Sequence, residues 1–512
     1  MLFRSVFEGL KKNKKVTPEN IPAATQLFTP HWIVRYLVEN SLGRLWMLNR
    51  PKSGLATKML YYIKPEQPET DFLRVNSPEE IKICDPACGS GHMLTYAFDL
   101  LYAIYEEEGY TPSEIPAKIL THNLYGVEID ERAGALAAFA LSMKARAKQR
   151  GFFRKPVQPR ICVLQNVKFE DGELARYMDF IGHDLFTAPL AAALRQFEEA
   201  DNFGALIRPE ITDAAGMRNI LEKKDVGRNL LLQSTHEKVL RVLEQSEYLS
   251  PGYHVVIANP PYMGGKGMNG RLGAWAKVNY PNSKSDLFAM FMERNSELAR
   301  KDGMVAMITM QSWMFLSSFE AVRQKIISKY SIKTLVQIGY NSFPELNSKV
   351  VQCAAFVMEI SREKNPGYYY DLNDAPQSAD KRLIFLRKLG TTNNYYRVSC
   401  ADFKKIPGTP IAYWVSEKIK KCFSENITFD TTFTIKAGIC TGKNETFILY
   451  WHEVMYSLIF KENLHTYSYF KHNKGGDYRR WCGNWENILK YSPSHLTEMT
   501  KNDGFRDRKN VV

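Results

Sequence analysis

Apolar residues along the chain follow two spacings. Over residues 31–48 they recur close to a helical period, and Thr29-Pro30 just before suits a helix start. Further on, short unbroken apolar runs alternate with longer helical stretches. The runs at 81–84, 124–129, 161–164, 255–258, 304–309, 334–338 and 351–360 predict strands, and 93–105 and 133–149 predict helices. Strands separated by helices imply a mostly parallel, Rossmann-like sheet of the α/β class.

Residues 167–250 interrupt this rhythm with a charged stretch that predicts a helical insertion beside the sheet. Residues 1–20 read as a basic helical leader and 21–360 as one catalytic domain. Residues 361–425, whose first part, 361–381, carries Tyr-Tyr-Tyr, Asn-Asp and Pro, read as a linker. From 426 to 512 the chain is aromatic and basic, as expected for the start of a second domain. No repeat or low-complexity tract is evident.

Composition changes this picture in three ways. A formal net charge of +13 over 512 residues favours a polyanionic partner, most commonly nucleic acid. The 8 cysteines are scattered, with no C-x-x-C pair and no histidine cluster, which predicts reduced thiols in a cytoplasm and no metal site. The most apolar stretch, 304–319, is broken by Gln311 and Ser312 and too short to cross a bilayer, so no membrane association is expected.

Candidate chemistry sits at strand ends. Asp85-Pro86-Ala87-Cys88-Gly89-Ser90-Gly91 links the first strand to a helix. Gly89 and Gly91 allow close approach of the backbone to a ligand. Asp85 would repel a phosphate and suits a cationic ligand. Glu128 ends the second strand, where an acid can accept hydrogen bonds from ribose hydroxyls. Together they predict a nucleoside bearing an amino-acid portion, S-adenosylmethionine.

Asn259-Pro260-Pro261-Tyr262 follows the fourth strand of the core. An exocyclic amine on a planar base is a weak nucleophile because its lone pair is delocalised. The Asn259 side-chain carbonyl and the Pro260 main-chain carbonyl can accept its two N–H bonds and stabilise charge as a methyl arrives. The two prolines hold the acceptors in place, and Tyr262 can stack on the base. A base in a duplex must leave the stack to reach such a pocket.

These motifs resemble the N6-adenine members of the amino-methyltransferase family. The resemblance implies that Gln26-Leu27-Phe28-Thr29-Pro30 packs over the methionine end of the cofactor, with Thr29 in contact. It implies that Asn166 touches the cofactor's adenine, that Ser285-Asp286-Leu287-Phe288 lines the pocket, and that Phe343 packs on the flipped base. More narrowly, 21–30, the insertion, 264–269, 438–444 and 473–481 resemble the PglX-type adenine methyltransferases of BREX phage-defence systems. That likeness covers nearly the whole chain and implies a site-specific DNA N6-adenine methyltransferase acting on duplex DNA beside other BREX proteins. Family members are longer, so the chain reads as a central portion, with 426–512 a partial target recognition domain.

Lys266, Arg271, Lys443, Lys474, Arg479 and Arg480 are candidate DNA contacts. The basic loop 264–271 reads equally as a phosphate-gripping loop and as a solvated one. Gly438–Lys443 is one residue short of a phosphate loop and is rejected as a nucleotide site. Asp71 with Glu80-Ile81-Lys82 fits a loose nuclease pattern but is rejected, because 81–84 feeds the cofactor loop. Two alternatives stand: the same chemistry on protein glutamine or RNA, or an inactive remnant that binds DNA or a partner.

Overall fold

The computed structural model describes residues 15–182, 187–211, 213–227, 229–343, 351–362, 365–376, 378–391, 394–426, 439–459, 469–472, 486–502 and 504–506. The chain divides into two units, Met1–Ser424 and Glu425–Val512.

The first unit is built on a nine-stranded sheet. Its strands are β1 (Ile83–Asp85), β2 (Leu124–Glu128), β3 (Arg160–Val163), β4 (Tyr253–Ala258), β5 (Ala299–Met310), β6 (Ser331–Gly339), β7 (Cys353–Glu359), β8 (Gly367–Asp371) and β9 (Tyr396–Val398). They lie in the order β3-β2-β1-β4-β5-β7-β6-β8-β9. The first five run parallel, β7 is antiparallel to both its neighbours, and β8 again runs parallel to β6. The mostly parallel α/β sheet is therefore present, and every apolar run assigned to a strand forms one.

Alternation along the strands fills two cores, one on each face. Cys84, Val256, Val305 and Met307 face one layer; Ile83, Val255, Ile257 and Ala306 face the other. All eight are fully buried, and removing each large aliphatic side chain from water contributes about 1.5–3 kcal/mol. The second layer is closed by the helices His31–Val38 and His92–Glu107. The first is closed by the helix Leu287–Leu298 and by the insertion, whose Tyr177, Leu194, Phe197, Val239 and Leu243 are fully buried in the same core.

Two expectations about chain organisation need correction. Residues 361–425 do not form a linker: they supply β8 and β9 to the sheet and a helix, Lys381–Leu389, whose Phe385 is fully buried. Tyr368, Tyr369 and Tyr370 are buried strand residues, and buried Arg323 donates to the carbonyls of Gly408 and Thr409. Of the expected helical leader, 1–14 lies outside the described residues, and Pro18–Asn20 forms only a single 3-10 turn. Among the described residues no helix is long and apolar enough to cross a membrane.

The second unit contains a three-stranded antiparallel sheet, with β10 (Ile448–Tyr450) and β11 (Tyr469–His472) flanking β12 (Asn487–Lys490). Phe447, Leu489 and Met499 form its small core.

The first unit also buries charge. Lys333 on β6 lies 2.7 Å from Glu359 on β7 and 3.7 Å from Glu69, which in turn pairs with the buried Arg44. Removing one partner of a buried ion pair leaves the other charge uncompensated. Lys333→Met should therefore lower stability by about 3–5 kcal/mol, read as a shift in the denaturant midpoint.

Candidate active site

Strand order reverses between β1 and β4. On one side of that point the chain continues outward to β2 and β3, on the other to β5. In open α/β sheets the carboxyl ends of the strands at such a reversal frame a crevice. Cys84 pairs with Val256, so β1 ends at Asp85 and β4 at Ala258 on the same edge, with Asn259 next. A cavity of about 1060 Å3, including its open mouth, lies there.

Its floor is the loop after β1. Asp85 is 2% exposed, and its carboxylate accepts the Ala87 amide at 3.1 Å. Burial, and secondarily the Glu128 carboxylate, pushes Asp85 up to about 8. Asp85, Pro86, Ala87 and Gly89 all line the cavity. Glu128, at the end of β2, also lines it and is raised by burial. Its carboxylate accepts the amides of Gly89 at 2.7 Å, Ile129 at 2.9 Å and Asp130 at 3.0 Å, tying the loop to β2.

The two glycines differ. Both have positive φ, +52° at Gly89 and +85° at Gly91, where other residues are strained. Gly89 meets open space, whereas a Cβ on Gly91 would come within 3.1 Å of Ala137 Cβ. Gly89 lines the cavity and Gly91 does not; Gly91 packs against Ala137 of the neighbouring helix.

The segment 26–29 forms the roof. Gln26, Leu27, Phe28 and Thr29 line the cavity, and Phe28 is 56% exposed at the mouth with its ring edge-on to His92. The same segment fixes the Asn259 amide. Asn259 Nδ2 donates to Thr29 Oγ1 at 2.9 Å and to the Leu27 carbonyl at 3.3 Å. The Leu27 carbonyl can only accept, so the amide nitrogen must face it. Asn259 Oδ1 is left buried with no hydrogen-bond partner.

The rest of the tetrapeptide frames this group. Pro261 lines the cavity and Pro260 is buried beside it. The Tyr262 hydroxyl donates to the Ile308 carbonyl at 3.1 Å, and its ring meets Phe288 edge-on. Asp286 accepts the Met263 amide at 3.0 Å and caps the helix Leu287–Leu298, whose Leu287 and Phe291 line the cavity. Burial raises Asp286 to about 6.

Several expected residues are not brought to the cavity. Asn166 is exposed and its Oδ1 accepts the Asp201 amide at 3.0 Å. The cavity wall at that side is instead Asn202, Phe203, Gly204, Ala205 and Leu206, which sequence reasoning missed. Their one visible signal was an apolar patch inside the charged insertion. Phe343 is 4% exposed within the core and does not line the cavity. Lys266 is exposed; Arg271 is exposed too, but its side chain pairs with Glu199 at 2.6 Å. Lys443 is exposed in the second unit; Lys474, Arg479 and Arg480 lie outside the described residues. Among the described residues no group of three His, Cys, Asp or Glu side chains is placed to hold a metal.

Residues 122–343 match the family model of the Eco57I restriction-modification methylase, and 73–158 match the DNA-methyltransferase domain of MmeI. The chain is 37% identical to the adenine-specific methyltransferase BrxX of Escherichia coli O9:H4 (strain HS), over 97% of this chain and 43% of that one. It is 36% identical to the adenine-specific methyltransferase PglX of Lacticaseibacillus casei (strain Zhang), over 96% of this chain and 43% of that one. Among solved structures it is similar to the DrdV–DNA complex, with 14% identity and a TM-score of 0.44 over 77% of this chain and 31% of that one. The chain thus spans less than half the length of the curated relatives it matches. By sequence it is similar to PglX-type adenine-specific methyltransferases over that share of their length.

Proposed function

We propose that the cavity binds S-adenosylmethionine and that Asn259 presents a flipped adenine of duplex DNA to it for N6 methylation, in a BREX defence system beside other defence proteins. The observation that carries this reading is the buried, unpartnered Asn259 Oδ1 at the edge of a cavity floored by a desolvated acid. A buried acceptor without a partner is destabilising unless a ligand supplies the donor.

The residues fit the cofactor. Asp85, held in a site that disfavours its charge, gains most from a cationic ligand. Glu128 retains acceptor capacity beside its three amides for ribose hydroxyls. S-adenosylmethionine, when bound, supplies a methyl group already activated on a sulfonium. The chain's own residues have the other task. Asn259 Oδ1 and the Pro260 carbonyl accept the two amine hydrogens of adenine. This draws its nitrogen toward tetrahedral geometry and stabilises the charge it gains. Thr29 and Leu27 hold the amide so that its oxygen, not its nitrogen, meets the base. Tyr262, anchored on β5, flanks the base. Exposed Lys266 and Lys443, with Lys474, Arg479 and Arg480, are the proposed phosphate contacts. Arg271 is assigned otherwise below. The names of the family relatives favour adenine over glutamine as acceptor.

Methyl transfer from labelled S-adenosylmethionine to duplex DNA tests the reading. Asn259→Ala should lower transfer by at least about a hundredfold while calorimetry finds cofactor affinity within about twofold of wild type. No transfer to DNA by the wild-type chain, or transfer to protein or RNA alone, overturns it. Thr29→Val should lower kcat about tenfold, because the amide loses one of two acceptors that orient it, and Thr29→Ser should restore it.

Asp85 also sets a pH dependence. Between its ordinary value of 3.8 and its folded value of about 8, the native chain holds a proton that the unfolded chain releases. Stability from this group is therefore lost as pH rises through that window. Asp85→Asn should be more stable than wild type by about 1–3 kcal/mol at pH 8, converge with it near pH 4, and no longer bind S-adenosylmethionine. Thermal melts across pH with parallel calorimetry read all three.

A further inference from the structure

The cavity wall formed by residues 202–206 comes from the insertion, far in sequence from the strands that frame the rest. Its two halves are held differently. The later half is fixed from the core: buried Arg294 donates to the Ala205 carbonyl at 3.0 Å, and the Tyr280 hydroxyl donates to the Leu206 carbonyl at 2.6 Å. The earlier half, 202–203, belongs to a strap, 199–203, held by Asn166 and by the segment that leaves the catalytic tetrapeptide. Asn269 Nδ2 donates to Asn202 Oδ1 at 2.8 Å. Arg271 Nε lies 2.6 Å from Glu199 Oε1, and its guanidinium sits 5.7 Å from the centre of the Phe203 ring. Trp275 stacks on Phe203 with ring centres 4.5 Å apart and planes 11° from parallel. Phe203 itself is 6% exposed and lines the cavity.

Residues 269, 271 and 275 do not line the cavity, yet each grips a residue of its wall or the neighbour of one. We propose that Asn269, Arg271 and Trp275 are positioning residues for the cofactor. They fasten the 199–203 strap, and through Asn202 and Phe203 they set the shape of the wall against which the cofactor lies. The inference rests on the cavity being the S-adenosylmethionine site. It reassigns Arg271, a candidate phosphate contact in the sequence, to an ion pair within the protein. It also joins the two sides of the reaction, because one segment leaves the base-binding tetrapeptide and closes the cofactor wall.

The test is calorimetric affinity for S-adenosylmethionine, with thermal melts to confirm folding. Trp275→Ala should weaken binding about tenfold, and Trp275→Phe, which keeps an aromatic face, should stay within about twofold of wild type. Arg271→Glu and Glu199→Arg should each weaken binding about fivefold. The double exchange should recover most of the loss, an outcome that general damage to the fold does not produce. Unchanged affinity in folded Trp275→Ala and Arg271→Glu, or no recovery in the double exchange, overturns the positioning role while leaving the cofactor site standing. No binding by the folded wild-type chain overturns both.

Discussion

The reversal of strand order between β1 and β4 is the constraint on which the rest depends. Neighbouring parallel strands that continue in opposite directions across the sheet leave a gap at their carboxyl ends, because no crossover helix can cover it. Asp85 ends one of those strands and Asn259 directly follows the other, so their placement is a matter of register rather than of loop conformation. Strands β1 and β4 are buried on both faces, which makes a slip in register costly: shifting by one residue would carry Val256 and Ile257 each to the wrong core. The site inherits the rigidity of the sheet.

What stands on that edge is unfavourable in isolation. Among the described residues Asp85 is desolvated without a salt-bridge partner, Glu128 is raised by burial, and the Asn259 carbonyl is buried without a donor. A folded core tolerates such groups only when the surrounding structure compels them. Here the compulsion is visible. Asp85 is held by the Ala87 amide, Glu128 by three amides, and the Asn259 amide by Leu27 and Thr29. Stability given up in this way is what preorganisation consists of, since the acceptors need not reorient when a ligand arrives.

This division explains what could be read from the chain alone. Asp85, Glu128 and Asn259 were legible because each ends an apolar run, and an apolar run of that length is a buried strand in an α/β pattern. Features set by tertiary contact were not. Tyr368-Tyr369-Tyr370 reads as a polar, turn-rich stretch, yet it forms β8, which needs a glycine at 367 because β6 passes so close that a Cβ would strike the Ile332 carbonyl. Asn166 lies just past the end of β3 as Glu128 lies at the end of β2, but the insertion folds back over that strand end and takes up its side chain. Phe343 looked like a pocket aromatic and is a core one, a distinction that hydrophobicity alone does not make.

The insertion is the largest such case. As a charged helical stretch it looked peripheral, yet it contributes a full wall of the cavity and much of one core. A doubly wound sheet leaves its crevice open on one side, and some segment must exclude water there if electrostatic groups are to act at full strength. In this chain part of that segment is pinned from the stretch that follows residues 259–262, where Arg271 is held to Glu199, 72 positions away. Stacked rings and an ion pair across that distance make the wall and the tetrapeptide's exit one packed body. Side chains in such a body have few alternative arrangements. Any movement that opens the Asn259 side of the cavity must therefore either carry the 202–206 wall with it or break the Phe203–Trp275 stack.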